Sequence, residues 1–231
     1  MGGMRRTVLG ILAACLLTVA TACSVTTKDP DYVPPPPLPP LEQIKQVPVT
    51  QPSTLGSGGD VTAFVTEDRN IACAMTSARG NHLNLPYEAN NYGDSANGKL
   101  ATVPVVHCEL AVYPAPQAGD AARTCNGTGL GYLGGTVLLR PDTVEYGGCR
   151  SGVTEMEAEF GPKGNRTGPI AELPVLSEGQ NIERNGLRCS AYNGGVACGN
   201  ISAGVAFFVN RAGYLLVSDG GTVTRGKMPA A

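Results

Sequence analysis

The chain has 231 residues and a formal charge of −2, with 42% hydrophobic and only 16% charged residues. This balance excludes a highly charged disordered protein, and the lack of a basic excess argues against a surface for nucleic acid or a polybasic lipid-binding patch. The 31 glycines and 18 prolines favour turns and short strands over long helices. We therefore expect one β-rich domain with extensions.

The first 22 residues have the organisation of an export signal. Arg5 and Arg6 precede an uncharged, apolar run over Thr7–Ala22, which is shorter than a typical transmembrane helix. Small residues then stand directly before Cys23, and this resembles the lipobox of bacterial lipoproteins, in which the cysteine thiol is alkylated by a lipid. We expect Cys23 to carry the lipid anchor. The alternatives are lipidation of Cys15 and an ordinary secretory signal.

A tether is expected between the lipid and the folded domain. Val33–Pro40 is proline-rich, and each proline ring fixes φ, so this stretch is predicted to be an extended spacer. Gln51–Asp60 is predicted to be flexible coil. The expected organisation is a signal over 1–22, a lipidated cysteine and flexible linker over 23–60, a β domain over 61–220 and a flexible tail over 221–231.

From Val61 onward the sequence predicts β structure, because short apolar or alternating runs are bounded by turn residues. The predicted strands are Val61–Thr66, Asn70–Met75, Leu100–Val112, Gly129–Arg140, Gly186–Ala191, Gly195–Asn200, Gly204–Asn210 and Gly213–Ser218. Thr154–Phe160 is the one predicted helix, and Asn97-Gly98, Asn185-Gly186 and Asn193-Gly194 are predicted turns. We expect a mainly β fold, a small antiparallel β sandwich or open barrel stapled by three disulfides.

Six cysteines fall within the predicted domain, and an even number outside the cytoplasm is typical of disulfides. Zinc binding is the alternative, but zinc sites favour Cys-x-x-Cys pairs and the chain has none. Pairing between neighbours, Cys73 with Cys108 and Cys125 with Cys149, is favoured, although the connectivity of these four stays open. The remaining two are Cys189 and Cys198.

The pairing of Cys189 with Cys198 follows from the geometry of a hairpin. A two-residue turn at Asn193-Gly194 places Tyr192 opposite Gly195, and counting outward places the two cysteines opposite each other. That pair falls at a non-hydrogen-bonded position with Cα atoms about 4.5 Å apart, which a disulfide can span. Ala191 and Val196 would then share a face with the sulfur atoms.

Two sequence motifs are candidates for a cofactor-binding or a catalytic site. Gly129–Gly134 matches the dinucleotide-binding fingerprint, but strand-like residues follow where the fingerprint needs a helix, so we expect a glycine-rich β turn. His107 and Glu109 would share a strand face and could act as base and orienter. A polar histidine beside a disulfide is the simpler explanation. We therefore predict no catalytic, cofactor-binding or metal-ligating residue.

Asp68–Met75 resembles the opening of a domain found in secreted and lipid-anchored actinobacterial proteins of unknown function. Further similar segments are Leu173–Leu176, Gly195–Asn200 and Phe207–Val209. The similarity departs between Arg79 and Val105, where the usual tryptophan is missing. It implies a mycobacterial or corynebacterial type of source and supplies no catalytic residue.

These observations together predict a non-enzymatic lipoprotein on the outer face of the bacterial cell membrane. The membrane is its first partner through the lipid anchor, and an envelope protein, lipid or glycan is the expected ligand, whereas nucleic acid and cofactors are not expected. The alternative is a small extracytoplasmic hydrolase or a modulator of an envelope enzyme, with His107 as the residue to test.

Overall fold

The computed structural model describes residues 40–46, 48–49, 61–117, 125 and 129–226. All of these residues belong to one compact unit. The predicted signal, Cys15 and Cys23 lie outside the described residues, so lipidation stays a prediction. No helix within the described ranges is long and apolar enough to cross a membrane.

The described part of the chain is dominated by strands. The helices are α1 (Pro40–Gln46) and α2 (Glu155–Phe160), with a 3₁₀ turn at Ser95–Asn97. The strands are β1 (Thr62–Thr66), β2 (Ile71–Arg79), β3 (His82–Leu83), β4 (Thr102–Leu110), β5 (Gly131–Leu139), β6 (Val144–Arg150), β7 (Val175–Leu176), β8 (Asn181–Arg184), β9 (Leu187–Tyr192), β10 (Gly195–Asn200), β11 (Val205–Asn210), β12 (Gly213–Ser218) and β13 (Gly221–Gly226).

Two sheets are formed by these strands. The first has the order β6-β5-β4-β2-β1-β7, with β3 paired to β2, and the second is a meander from β8 to β13 in which each strand pairs with the next. The pairing of β1 with β7 is parallel. The other pairings of the described strands are antiparallel. The predicted mainly β fold is confirmed.

A hydrophobic core lies between the two sheets. Alternate residues of β11, Val205, Phe207 and Val209, belong to it, whereas Phe208 packs on the opposite face of the second sheet. This is the period of two that a strand imposes on its side chains. Tyr146 of β6 stacks on Tyr214 of β12 with ring centroids 3.8 Å apart, so the rings join the two sheets across the core.

Disulfides connect Cys73 with Cys108, Cys125 with Cys149, and Cys189 with Cys198, which confirms the three predicted pairs. The first joins β2 to β4 and the last joins β9 to β10, each between residues directly opposite in register. In both of these cross-strand pairs the Cα atoms are 4.1 Å apart. Both lie fully buried in the core between the sheets.

The β9–β10 hairpin has the predicted register, with Tyr192 opposite Gly195. Asn193 and Gly194 have φ values of 52° and 63°, as a type I′ turn requires. The predicted turn at Asn185-Gly186 likewise has positive φ at both residues. The predicted turn at Asn97-Gly98 is also present, but it is a 3₁₀ turn in which φ of the glycine is −62°, so the left-handed region is not used there.

Both predicted flexible extensions contain regular structure. Helix α1 lies inside the linker predicted over 23–60, because Ile44 is fully buried against Tyr192, Ala197 and Phe208 on the outer face of the second sheet. Strand β13 occupies the start of the tail predicted over 221–231, because it pairs along its length with β12. Gln51–Asp60 lies outside the described residues, as does the proline-rich run apart from its last residue.

Candidate functional site

The predicted pair of His107 and Glu109 comes together on β4. Nε2 of the histidine lies 3.4 Å from Oε1 of the glutamate, and both side chains are almost completely buried. The second carboxylate oxygen accepts the backbone N–H of Met156 at 3.0 Å. Burial raises the pKa of Glu109, but hydrogen bonds from His107, Met156 and Thr154 and the histidine charge together hold this pKa below its ordinary value.

This pair has a structural role. Glu109 ties the first sheet to the first turn of α2, which Thr154 caps through a capping box with Glu157. Nδ1 of His107 is buried and has no hydrogen-bond partner. A general base must lie within reach of the proton that it abstracts, and in this structure protein atoms enclose Nδ1.

A pocket of about 250 Å³ lies beside the turn between β1 and β2. We name it the arginine pocket, because Arg69, Arg166 and Arg211 line it together with two carboxylates, Glu67 and Asp68. Three guanidinium groups against two carboxylates leave the lining with an excess of one positive charge. This site was not predicted from the sequence.

The turn that forms one wall of the arginine pocket is held by its own hydrogen bonds. Oδ1 of Asp68 accepts the Thr66 hydroxyl at 2.7 Å and the Asn70 backbone N–H at 3.1 Å. Oδ2 of the same carboxylate accepts Nε and Nη2 of Arg211, at 3.2 and 3.1 Å. Nδ2 of Asn70 donates a hydrogen bond to the carbonyl of Val112, and Oδ1 of Asn70 accepts one from the Val112 backbone N–H. The wall is therefore fixed before any ligand arrives.

Two of the three arginines have a strained backbone. Among the described residues, four that are not glycine have positive φ, namely Arg69 (50°), Arg166 (58°), Asn185 and Asn193. The two asparagines belong to turns in which this conformation is common. An ordinary side chain in the left-handed region costs about 1–2 kcal/mol. Both arginines that bear this cost line the same pocket.

The three guanidinium groups differ in how many hydrogen bonds and ion pairs they already make within the protein. Nη1 of Arg69 donates to the carbonyl of Ala171 at 2.9 Å, and the group lies 5.8 Å from the Phe160 ring centroid. Arg211 is paired with Asp68. Within the described ranges the exposed side chain of Arg166 has no hydrogen-bond or ion-pair partner. Its donors are available to a ligand.

A second cavity of about 150 Å³ shares Glu67 and Asp68 with the arginine pocket. Its lining adds a third carboxylate, Glu178, and contains no basic residue, so we name it the acidic cavity. Gly194 and Gly195 of the β9–β10 hairpin also line it, and Oε1 of Glu178 accepts the backbone N–H of Asn193 in that turn. The two cavities therefore lie against the same loop.

The glycine motif Gly129–Gly134 does not form a ligand-binding loop of the dinucleotide type. Gly129 has a left-handed φ of 70°, in line with the predicted turn, and the motif then continues as the first half of β5, which pairs with β6. No cluster of three or more His, Cys, Asp or Glu side chains in the described part of the chain could hold a metal ion.

Comparison with protein-family models, with curated proteins and with solved structures finds no match to this chain. The resemblance to actinobacterial envelope domains therefore stays a prediction. The evidence for a function therefore comes from the geometry of the arginine pocket and the acidic cavity.

Proposed function

We propose that this protein is a cell-envelope lipoprotein whose β sandwich is a non-enzymatic binding module, and that the arginine pocket holds an anionic group of its ligand. The observation that carries the proposal is the strained backbone of Arg69 and Arg166, both of which line this pocket. Backbone strain persists only where the surroundings hold it, and it clusters at ligand-binding positions.

The chemistry of the lining agrees with an anionic ligand. A guanidinium presents a planar fork of N–H donors that matches a carboxylate or a phosphate. Arg166 has its donors unoccupied, while hydrogen bonds hold Arg69 and Arg211 in place. Loops carried on a rigid sheet framework are a common place for such recognition. The ligand is then an envelope protein, lipid or glycan that bears a negative group.

Replacing Arg166 with glycine should separate binding from stability. Glycine adopts positive φ without strain, so Arg166→Gly should leave the free energy of unfolding unchanged or raise it by up to about 1 kcal/mol. Titration of the mature protein with sodium acetate and with inorganic phosphate, followed by backbone-amide NMR shifts, should show binding weakened about tenfold. Asn185→Gly, at a φ of 51° outside the pocket, is the matched control and should bind as the wild type does. Equal binding by Arg166→Gly would contradict the proposal.

The anchor requires a separate experiment. Cys23→Ala should abolish metabolic labelling with a fatty-acid analogue and either release the protein or leave an uncleaved precursor. Cys15→Ala is the matched control and should still be labelled. Labelling that survives in Cys23→Ala and disappears in Cys15→Ala would show that the lipid is attached to the other cysteine.

A further inference from the structure

The arginine pocket and the acidic cavity carry opposite charge and share one wall. Glu67 and Asp68 line both, with three guanidinium groups on one side and Glu178 on the other. Asp68 is already paired with Arg211. Within the described part of the chain, the exposed carboxylates of Glu67 and Glu178 have no ion-pair partner. A ligand that lies across this turn would meet cations at one end and anions at the other.

We propose that the ligand is zwitterionic, an amino-acid derivative or a short peptide. Its carboxylate lies among Arg69, Arg166 and Arg211, and its ammonium group lies beside Glu67 and Glu178. This inference rests on the proposed function, which it deepens by naming the class of ligand. Capture of a peptide's C-terminal carboxylate or N-terminal amine is an established mode of recognition, and the charged side chains here match both groups.

The apolar lining of the arginine pocket fits the middle of such a ligand. Val112, which is 40% exposed, and the partly buried Phe160 offer this surface. Both cavities are smaller than the roughly 300–1,000 Å³ of a site for a drug-sized ligand, so the ligand is small or contributes only a chain end.

Charge also argues against a polyanion. The arginine pocket has an excess of only one positive charge, and all the charged groups that line the adjoining cavity are carboxylates. A dianionic phosphate or a polyanionic glycan lying across the turn would face uncompensated like charge, which is costly. A monoanion with an attached cation matches both sides.

Three forms of one dipeptide test the proposal. Alanyl-alanine has both charges, its N-acetylated form has only the carboxylate, and its C-terminal amide has only the ammonium group. Isothermal titration of the mature protein should show the tightest binding for the free dipeptide. We expect binding about fivefold weaker for the acetylated form and more than tenfold weaker for the amide, because guanidinium–carboxylate contacts are the stronger ones.

Two variants assign the two ends of the ligand. Glu178→Gln keeps an acceptor for the Asn193 N–H and should weaken binding of the free dipeptide to the level of the acetylated form, which it leaves unchanged. Arg166→Gln should weaken both carboxylate-bearing forms and leave the amide unchanged. Glu172→Gln removes an exposed carboxylate outside both cavities and is the matched control, with no expected effect.

The outcomes separate this inference from the proposed function. Equal affinity for the free and acetylated dipeptides would overturn the zwitterionic ligand and leave anion binding intact. Binding of acetate or phosphate without binding of any dipeptide would do the same. Failure of acetate, phosphate and all three dipeptides to bind would overturn both.

Discussion

Replacing Gly195 with alanine is expected to destabilise the domain by about 3 kcal/mol or more. A Cβ atom at this position would lie 2.3 Å from the carbonyl oxygen of Val209 and 2.8 Å from Cζ of Phe208. Both contacts belong to β11, which pairs with β10 in the middle of the second sheet. A backbone oxygen cannot move aside without breaking that pairing, so the strands must separate.

Urea denaturation followed by circular dichroism measures this effect. Gly148→Ala is the matched control, because a Cβ atom at Gly148 meets nothing within 4 Å and this glycine also lies in a strand. We expect the control to change the free energy of unfolding by less than about 0.5 kcal/mol. Similar stability of the two variants would show that β10 and β11 do not pack as closely as described.

The second large effect is expected from Ile44→Asp. Ile44 is fully buried against the outer face of the second sheet, and its carbonyl accepts a hydrogen bond from the Asn181 side chain at 3.2 Å. An unpaired carboxylate cannot stay in this apolar cluster, so α1 should detach and expose Tyr192 and Phe208. We expect a loss of about 2–5 kcal/mol, the range for removal of a large buried side chain.

Limited proteolysis and binding of the dye ANS report this detachment directly. Ile44→Asp should be cleaved within α1 and should bind ANS, while the three disulfides stay intact. Gln46→Asp places the same carboxylate on the exposed face of α1 and should lose less than about 1 kcal/mol. Protection of α1 in both variants would contradict a role for Ile44 in holding it.

Strands with a strong apolar content were predictable, and the others were not. β10 and β11 are buried along almost their whole length, and their sequences show it. β8 and β13 are mostly polar or partly exposed, and neighbouring strands, rather than their own apolar residues, bring them into the sheet. β6 was also missed, because its two adjacent glycines are not typical of a strand. For α1 the sequence signal was limited to two apolar residues three positions apart, Leu41 and Ile44, in a short segment.

The arginine pocket was not predictable for a different reason. Arg69, Arg166 and Arg211 come from three loops that are far apart in sequence, and only the closed fold brings them to one cavity. Asn-Gly dipeptides reveal some left-handed turns from sequence, as at Asn193. No comparable signal marks an arginine, because this conformation is imposed by tertiary contacts. By contrast, the Cys189–Cys198 pair follows from local hairpin geometry alone.

The burial of two disulfides inside the core affects the order of events during folding. Exchange requires a thiolate to reach a sulfur atom, and Cys73, Cys108, Cys189 and Cys198 are all fully enclosed. Once the sheets have met, no oxidant, reductant or isomerase can reach these bonds unless the sandwich opens again. Cys73 must therefore pair with Cys108, and Cys189 with Cys198, before the two sheets pack together. Oxidation of these cysteines is then part of folding and does not follow it. The outer pair, Cys125 and Cys149, is only partly covered and stays open to later correction.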